Sequence, residues 1–296
     1  MGEITAKIIA DSISPSGVRL TTMELNYPRF IHSEFMTHRM FSRNASSSRA
    51  IPIEKMLKQV QENPAFPIHW GKTHPGMHAR EEVEHPVGAY REWIRCSIDA
   101  IESAEFLLNY GLHKQIVNRV LEPFQYIKVI VTATEWDNFF KLRLHADAQP
   151  EIYELARCMK VSMEDSIPNK LEYGEWHAPY VEWDEFTMSM FRNKEDLLET
   201  KIKCSVARCA RVSYLNHDNS SPDIEKDLQL AAKLLEAGHL SPFEHIATPM
   251  PTNVYSDRFE FDCEWVEGIT HIDRGNVYWS GNFKSWIQHR QLLSAV

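Results

Sequence analysis

Ser14, Pro15, Ser16 and Gly17 separate two runs of strand-forming residues, 5–10 and 18–26. Proline presets one turn dihedral and glycine accepts a positive one, so this quartet commits the start of the chain to two strands joined by a turn. Pro28 stops the second strand, and residues 29–38 are predicted as a helix that aims His38 and Arg39 inward. Residues 126–132 read as a further, buried strand. Elsewhere the apolar spacing is helical. Helices are predicted after Pro52, over 87–110, up to Pro123, around Asn138 to Arg143, from Pro150 to about Met163, and over 224–237. The helix over 87–110 has a core stripe of Tyr90, Trp93, Ile94, Ile98, Ile101, Leu107 and Leu108. Gly111 and Gly238 close two helices, and Ser221 with Pro222 is the predicted start of the last. Residues 63–86 carry four prolines, two glycines and four histidines and read as a long functional loop. Residues 168–184 are aromatic and irregular, a linker or an insertion.

With 296 residues, 43% of them apolar, the chain has ample material for a core and could form one large domain or two smaller ones. A net charge of -9 and the lack of a basic stripe argue against a nucleic-acid binder. No apolar run approaches a membrane span and no signal-peptide pattern opens the chain. Five cysteines without paired spacing fit a reducing cytoplasm, and no four-ligand set is visible, so no metal is expected.

Against that acidic background, residues 34–49 stand out. They hold His38, Arg39, Arg43, Arg49, Asn44 and the serines 42, 46, 47 and 48, with Glu34 the only acid. Guanidinium forks and neighbouring hydroxyls suit a phosphate or carboxylate, so the segment reads as a local anion site. The other reading is a solvated loop whose arginines pair with carboxylates elsewhere.

His38 and Arg39, seven residues, then Ser47, with Asn44 and Arg49 in place, resemble the signature of the flavin-dependent thymidylate synthases (ThyX), except that Thr37 replaces its first Arg. Residues 138–152, with Asn138, Leu142, Arg143, Gln149 and Glu151, resemble a second block of that family. Arg119-Val-Leu-Glu-Pro123 resembles its Arg-x-x-Leu-Pro. Residues 210–214 and 238–245 resemble the family's opening but follow the signature, which implies a circular permutation. The likeness covers 15–155, the signature half, and 204–246, the permuted flavin-binding segment. It leaves the tail 247–296 unplaced, although Trp279 to Arg290 reads as core packing with a basic edge.

The resemblance implies a single catalytic domain over 1–296 with an α+β fold, a twisted, mainly antiparallel sheet flanked by helices. It also implies a cytoplasmic homotetramer with shared active sites and small-molecule substrates. The implied reaction is reductive methylation of dUMP, with FAD, NADPH and methylene-tetrahydrofolate as cofactors. Arg143 would favour loss of the pyrimidine N3 proton; a plain alternative pairs it with Asp147 four residues on. Arg49 and Arg119 would hold the phosphate with Ser47 and Ser48. Ser47, the signature serine, could in principle be a nucleophile but reads as a binding residue. His38, Arg39, Asn138, Ser213, His239, Ser241 and Glu244 would contact the flavin. The family has Gln at Glu34 and Glu at Ala45. These departures keep open hydroxymethylation of dUMP, alkylation of dCMP, or a non-catalytic nucleotide-binding homologue. If Glu34 accepts from an exocyclic amine, Glu34→Gln shifts preference from dCMP toward dUMP. An unchanged ratio in a competition assay sinks that role.

Overall fold

In the computed structural model, which describes residues 3–76, 79–212, 221–251 and 266–293, the chain begins with the expected hairpin. Strand β1 (Thr5–Ile13) pairs antiparallel with β2 (Arg19–Pro28), and Gly17 turns between them at φ 80°. One helical turn, α1 (His32–Met36), and a short strand, β3 (Ser42–Ala45), lead to α2 (Ile53–Glu62), α3 (Val87–Asn109) and α4 (Lys114–Leu121). Then come β4 (Tyr126–Ala133), α5 (Asp137–Arg143), α6 (Pro150–Asp165) and β5 (Asn169–Lys170). Helices α7 (Glu185–Ser189), α8 (Lys194–Arg211) and α9 (Ile224–Glu236) follow, and a 3-10 turn over Ser241–His245 enters β6 (Ala247–Pro249). The tail adds β7 (His271–Ile272), β8 (Tyr278–Ser280), β9 (Phe283–Lys284) and β10 (Trp286–Gln288).

The main sheet has the order β3-β4-β2-β1-β5, antiparallel except where β5 joins β1, so the expected α+β architecture stands. Successive strand side chains point to opposite faces. Met23, Leu25 and Tyr27 of β2 and Val129 and Val131 of β4 pack with Phe35, Phe139, Ile152 and Met159 from α1, α5 and α6. Ile130 packs on the other face with Val206 and Cys209 of α8, Ala231 of α9 and Phe243. Each fully buried Val, Leu, Ile, Phe or Met among these contributes roughly 1.5–3 kcal/mol. Helices α2, α3 and α4 build a separate cluster around Met56, Val60, Ala104 and Leu121.

The second face also carries a buried polar line. His177 Nδ1 meets Ser12 Oγ at 2.8 Å and its Nε2 meets Thr22 Oγ1 at 2.7 Å. Thr22 meets Thr132 at 2.7 Å, and Thr132 meets His245 Nδ1 at 2.8 Å. Burial pushes both imidazoles down to about 3, so the line is neutral and needs no counter-ion. Residues 168–184 are tied to the main sheet by Tyr180, which donates to Glu24 at 2.7 Å, and to β6 by His177, which exchanges backbone hydrogen bonds with Ala247.

Local punctuation differs from the sequence reading in three places. The predicted helix over 29–38 is a 3-10 turn, Arg29–Ile31, and the single turn α1, so His38 and Arg39 lie beyond helical geometry. The cap of α9 is Asp223, whose carboxylate accepts from the Glu225 and Lys226 amides, rather than Ser221. Asp is as good a cap as Ser and stands next to the first helical residue. On α3 the fully buried line is Ser97, Ala100 and Ala104, and Ile98 is exposed, because only small side chains let α2 and α4 approach. The sequence reading assigned no element to 185–203, where charge masks the apolar spacing of α8.

Within that helix Arg208 and Arg211 are buried, and both pair with Asp227 of α9, at 2.8 and 2.7 Å. Asp227→Ala leaves two buried cations without their counter-charge and is expected to cost about 3–5 kcal/mol. Urea unfolding checks it; a loss under about 1 kcal/mol, typical of a surface pair, contradicts the burial argument.

Candidate active site

Helix α5 is anchored by Phe139 and Phe140, which face the core and set Arg143 in its last turn toward the signature segment. Arg143 Nε donates to His38 Nε2 at 2.9 Å, and its Nη2 reaches Thr37 Oγ1 at 3.3 Å. The His38 ring stands edge-on to Phe139, centroids 4.8 Å apart, and near Phe41. Burial, then the Arg143 and Arg43 charges, push its pKa down to about 4. The imidazole is therefore neutral, with Nε2 the acceptor and the proton on Nδ1. Arg43 holds the same loop by donating to the Met36 and His38 carbonyls, at 2.8 and 3.0 Å. Thr37, in turn, donates to the Glu34 carbonyl at 2.7 Å, while among the described residues the Glu34 carboxylate accepts only a long 3.4 Å bond from Ser33.

Among the described residues, neither Arg143 nor Arg43 has a carboxylate partner. Asp147 meets Arg80 and His145 instead. The plain reading of Arg143 as a surface ion pair with Asp147 is thus not what the structure contains. A guanidinium held by neutral acceptors keeps its full charge for a developing anion.

Ser47, Ser48, Arg49 and Arg119 form a second group. The Asn118 amide fixes the turn after Ser47 by donating to the Ser48 carbonyl at 2.5 Å and to Ile51 at 3.3 Å. Ser48 is buried, and its hydroxyl donates to Glu122 Oε1 at 3.3 Å. The same oxygen takes Arg119 Nη1 at 2.7 Å and Arg29 Nη2 at 2.9 Å. Ser47 and Arg49 are exposed; the Ser47 hydroxyl accepts the Arg49 amide at 3.3 Å.

The residues expected at the flavin are distributed unevenly. Asn138, His239 and Ser241 are exposed, and their side chains make no hydrogen bond among the described residues. The Glu244 carboxylate pairs with Arg290. Arg39, expected to face inward, is exposed, because consecutive residues outside a helix diverge. Ser213 lies outside the described residues, after Val212 closes α8 at φ 51°, a left-handed conformation that costs a β-branched residue roughly 1–3 kcal/mol. The 241–245 turn nevertheless meets the signature strand. Gln288 Nε2 bonds Ser42 Oγ at 3.1 Å, the Glu244 carbonyl at 3.0 Å and Asn282 Oδ1 at 3.0 Å. Asn282 donates back to the Met40 carbonyl at 3.1 Å. Gly281 makes room for this: a Cβ there would stand 2.4 Å from Gln288 Oε1.

Sequence reasoning missed Arg29, Asn282 and Gln288 as site-building residues, because they act through tertiary contacts. It placed Arg43 in the basic anion segment, but nothing in the spacing distinguished its role. The tail's tryptophans are core, as read: Trp286 is fully buried, and the basic edge is Lys284 beside Glu135 and Arg290 beside Glu244.

Residues 14–169 match the family described as thymidylate synthase complementing protein. No curated protein matches the chain. Among solved structures it resembles a UMP/dUMP methylase, PolB from Streptomyces cacaoi, bound with 5-Br UMP and with 5-Br dUMP. The first is 18% identical, with TM-score 0.46 over 55% of this chain and 89% of that one. The second is 18% identical, with TM-score 0.44 over 55% and 90%.

The His38 ring is expected to titrate by NMR near pH 4, and Arg143→Ala to raise that midpoint only part of the way to 6.5, since burial is the larger cause. A wild-type midpoint at 6.5 would contradict a neutral, buried imidazole under Arg143.

Proposed function

The chain belongs to the thymidylate synthase complementing protein family, and from that premise we propose that it is a FAD-dependent thymidylate synthase converting dUMP to dTMP with methylene-tetrahydrofolate and NADPH. The observation that carries the reading is the uncompensated guanidinium of Arg143, held at 2.9 Å on a neutral His38 that lies 105 residues away in sequence. C5 of a uracil ring becomes nucleophilic when charge builds on the ring after N3 loses its proton. Arg143 beside that edge stabilises the anion, and Thr37 and His38 keep the fork aimed.

The free donor set fits a flavin. The His38 Nδ1 proton, the Asn138 amide, the His239 ring and the Ser241 hydroxyl have no partners among the described residues and suit the ring's carbonyl and nitrogen acceptors. When bound, reduced flavin supplies the hydride, methylene-tetrahydrofolate the carbon and NADPH the electrons that restore the flavin. Glu244, committed to Arg290, contributes its position more than its charge.

Residues 204–246 fall outside the family match, and we read them as the family's opening moved behind the signature. Docking of the 241–245 turn on β3 through Gln288 supports that order. The working form in this reading is a cytoplasmic homotetramer with shared active sites. The nearly unbonded carboxylate of Glu34 supports a second reading, in which the same scaffold hydroxymethylates dUMP or alkylates dCMP.

Product mass spectrometry decides between them. Protein with FAD, NADPH, methylene-tetrahydrofolate and equal dUMP and dCMP is expected to yield one product, dUMP plus a methylene. A hydroxymethylated or cytosine-derived product selects the second reading, and no product with a colourless protein overturns both. Arg143→Lys is expected to lower the rate by about 10²–10³-fold, the usual loss for one oriented donor.

A further inference from the structure

Three of the groups nearest the expected phosphate site point at a carboxylate. Glu122 Oε1 takes Arg119 at 2.7 Å, Arg29 at 2.9 Å and the buried Ser48 hydroxyl at 3.3 Å. Its side chain is 25% exposed and that of Arg29 19%, so the cluster is half-sheltered from solvent screening. The resembling family motif has an uncharged leucine at the position of Glu122. Those three donors are the kinds of group that would otherwise grip a phosphate. Among the described residues, the exposed Arg49 guanidinium and the Ser47 hydroxyl proton beside them have no partner. Arg29 comes from the 3-10 turn after β2, Ser48 from the turn after β3 and Arg119 from α4, so the carboxylate is the point at which three elements converge.

We propose that Glu122 is a specificity-determining residue, an internal carboxylate that occupies the anion subsite and lowers the enzyme's preference for a nucleoside monophosphate over the bare nucleoside. This deepens the reading of the site as a deoxyuridine nucleotide site and rests on it. A phosphate monoester carries a charge of about -1.5 to -2 at neutral pH, so it meets both a like charge and donors already engaged. The base and sugar contacts, with Arg143 at their far end, then carry most of the recognition. The opposite role is also physical: a carboxylate can hold two guanidiniums in place for a phosphate. The two roles differ in the sign of the effect when the charge is removed.

Isothermal titration calorimetry with dUMP and with deoxyuridine separates them. Wild-type protein is expected to favour dUMP by less than about tenfold, and Glu122→Gln to bind dUMP about tenfold or more tightly while its deoxyuridine affinity stays within about twofold. Glu122→Leu repeats the test without a polar side chain, and the wild-type ratio stands even where a variant does not fold. A wild-type preference for dUMP above about a hundredfold, or dUMP binding unchanged or weakened in the variants, overturns the role of Glu122 alone. Wild-type protein that binds neither ligand overturns the nucleotide-site reading together with it.

Discussion

Strand β4 is hydrogen-bonded along both edges, to β2 on one side and to β3 on the other, and the site depends on that. The signature segment is hard to place by itself: it is short, basic and almost without apolar side chains between Ser42 and Arg49. Pairing with β4 supplies its backbone partners, and Ser46 continues the zipper by exchanging bonds with Lys128. The same strand leads into α5 through Trp136, so Arg143 and the loop it grips are both indexed to one rigid element. Alternation along β4 does the rest. Val129 and Val131 secure α5 and α6, whereas Ile130 and Thr132 receive α8, the 241–245 turn and His245 on the opposite side.

Charge is handled in three distinct ways. Arg208 and Arg211 are buried and share one carboxylate, which makes them part of the framework. Arg29 and Arg119 share another carboxylate nearer the surface. Arg143 and Arg43 rest on a neutral imidazole and on carbonyls, and among the described residues this last pair keeps an uncompensated charge next to a buried ring. Burial explains why His38 cooperates: lowering its pKa removes the repulsion an imidazolium would exert on Arg143.

The hairpin, the buried strand at 126–133 and the long helix after Pro86 were legible because turn residues and apolar period agree there. The segment 29–38 was not, since its apolar residues suit a helix but its backbone is claimed by contacts on either side. Arg29 donates its amide to the Gln125 carbonyl, and Thr37 folds back on Glu34. The stripe on α3 shows the same limit. Large side chains mark the apolar face, yet small ones decide how closely neighbours pack, so Ala100 and Ala104 are buried while Ile98 is not.

The residues of the basic segment, the arginine at the end of α5 and the family they resemble could all be read from the chain alone, because residue type and spacing are local properties. Which arginine stays charged and which is neutralised could not, because each answer lies in a contact between distant positions. Arg143 and Asp147 are four apart, an ideal spacing on a helix, yet α5 ends at Arg143 and the pair never forms. Glu122 acquires its meaning only when Arg29 and Ser48, 93 and 74 residues away, converge on it. The sequence determined the chemistry that could be present; tertiary packing decided which charges meet, since ion pairing depends on distance in space and not along the chain.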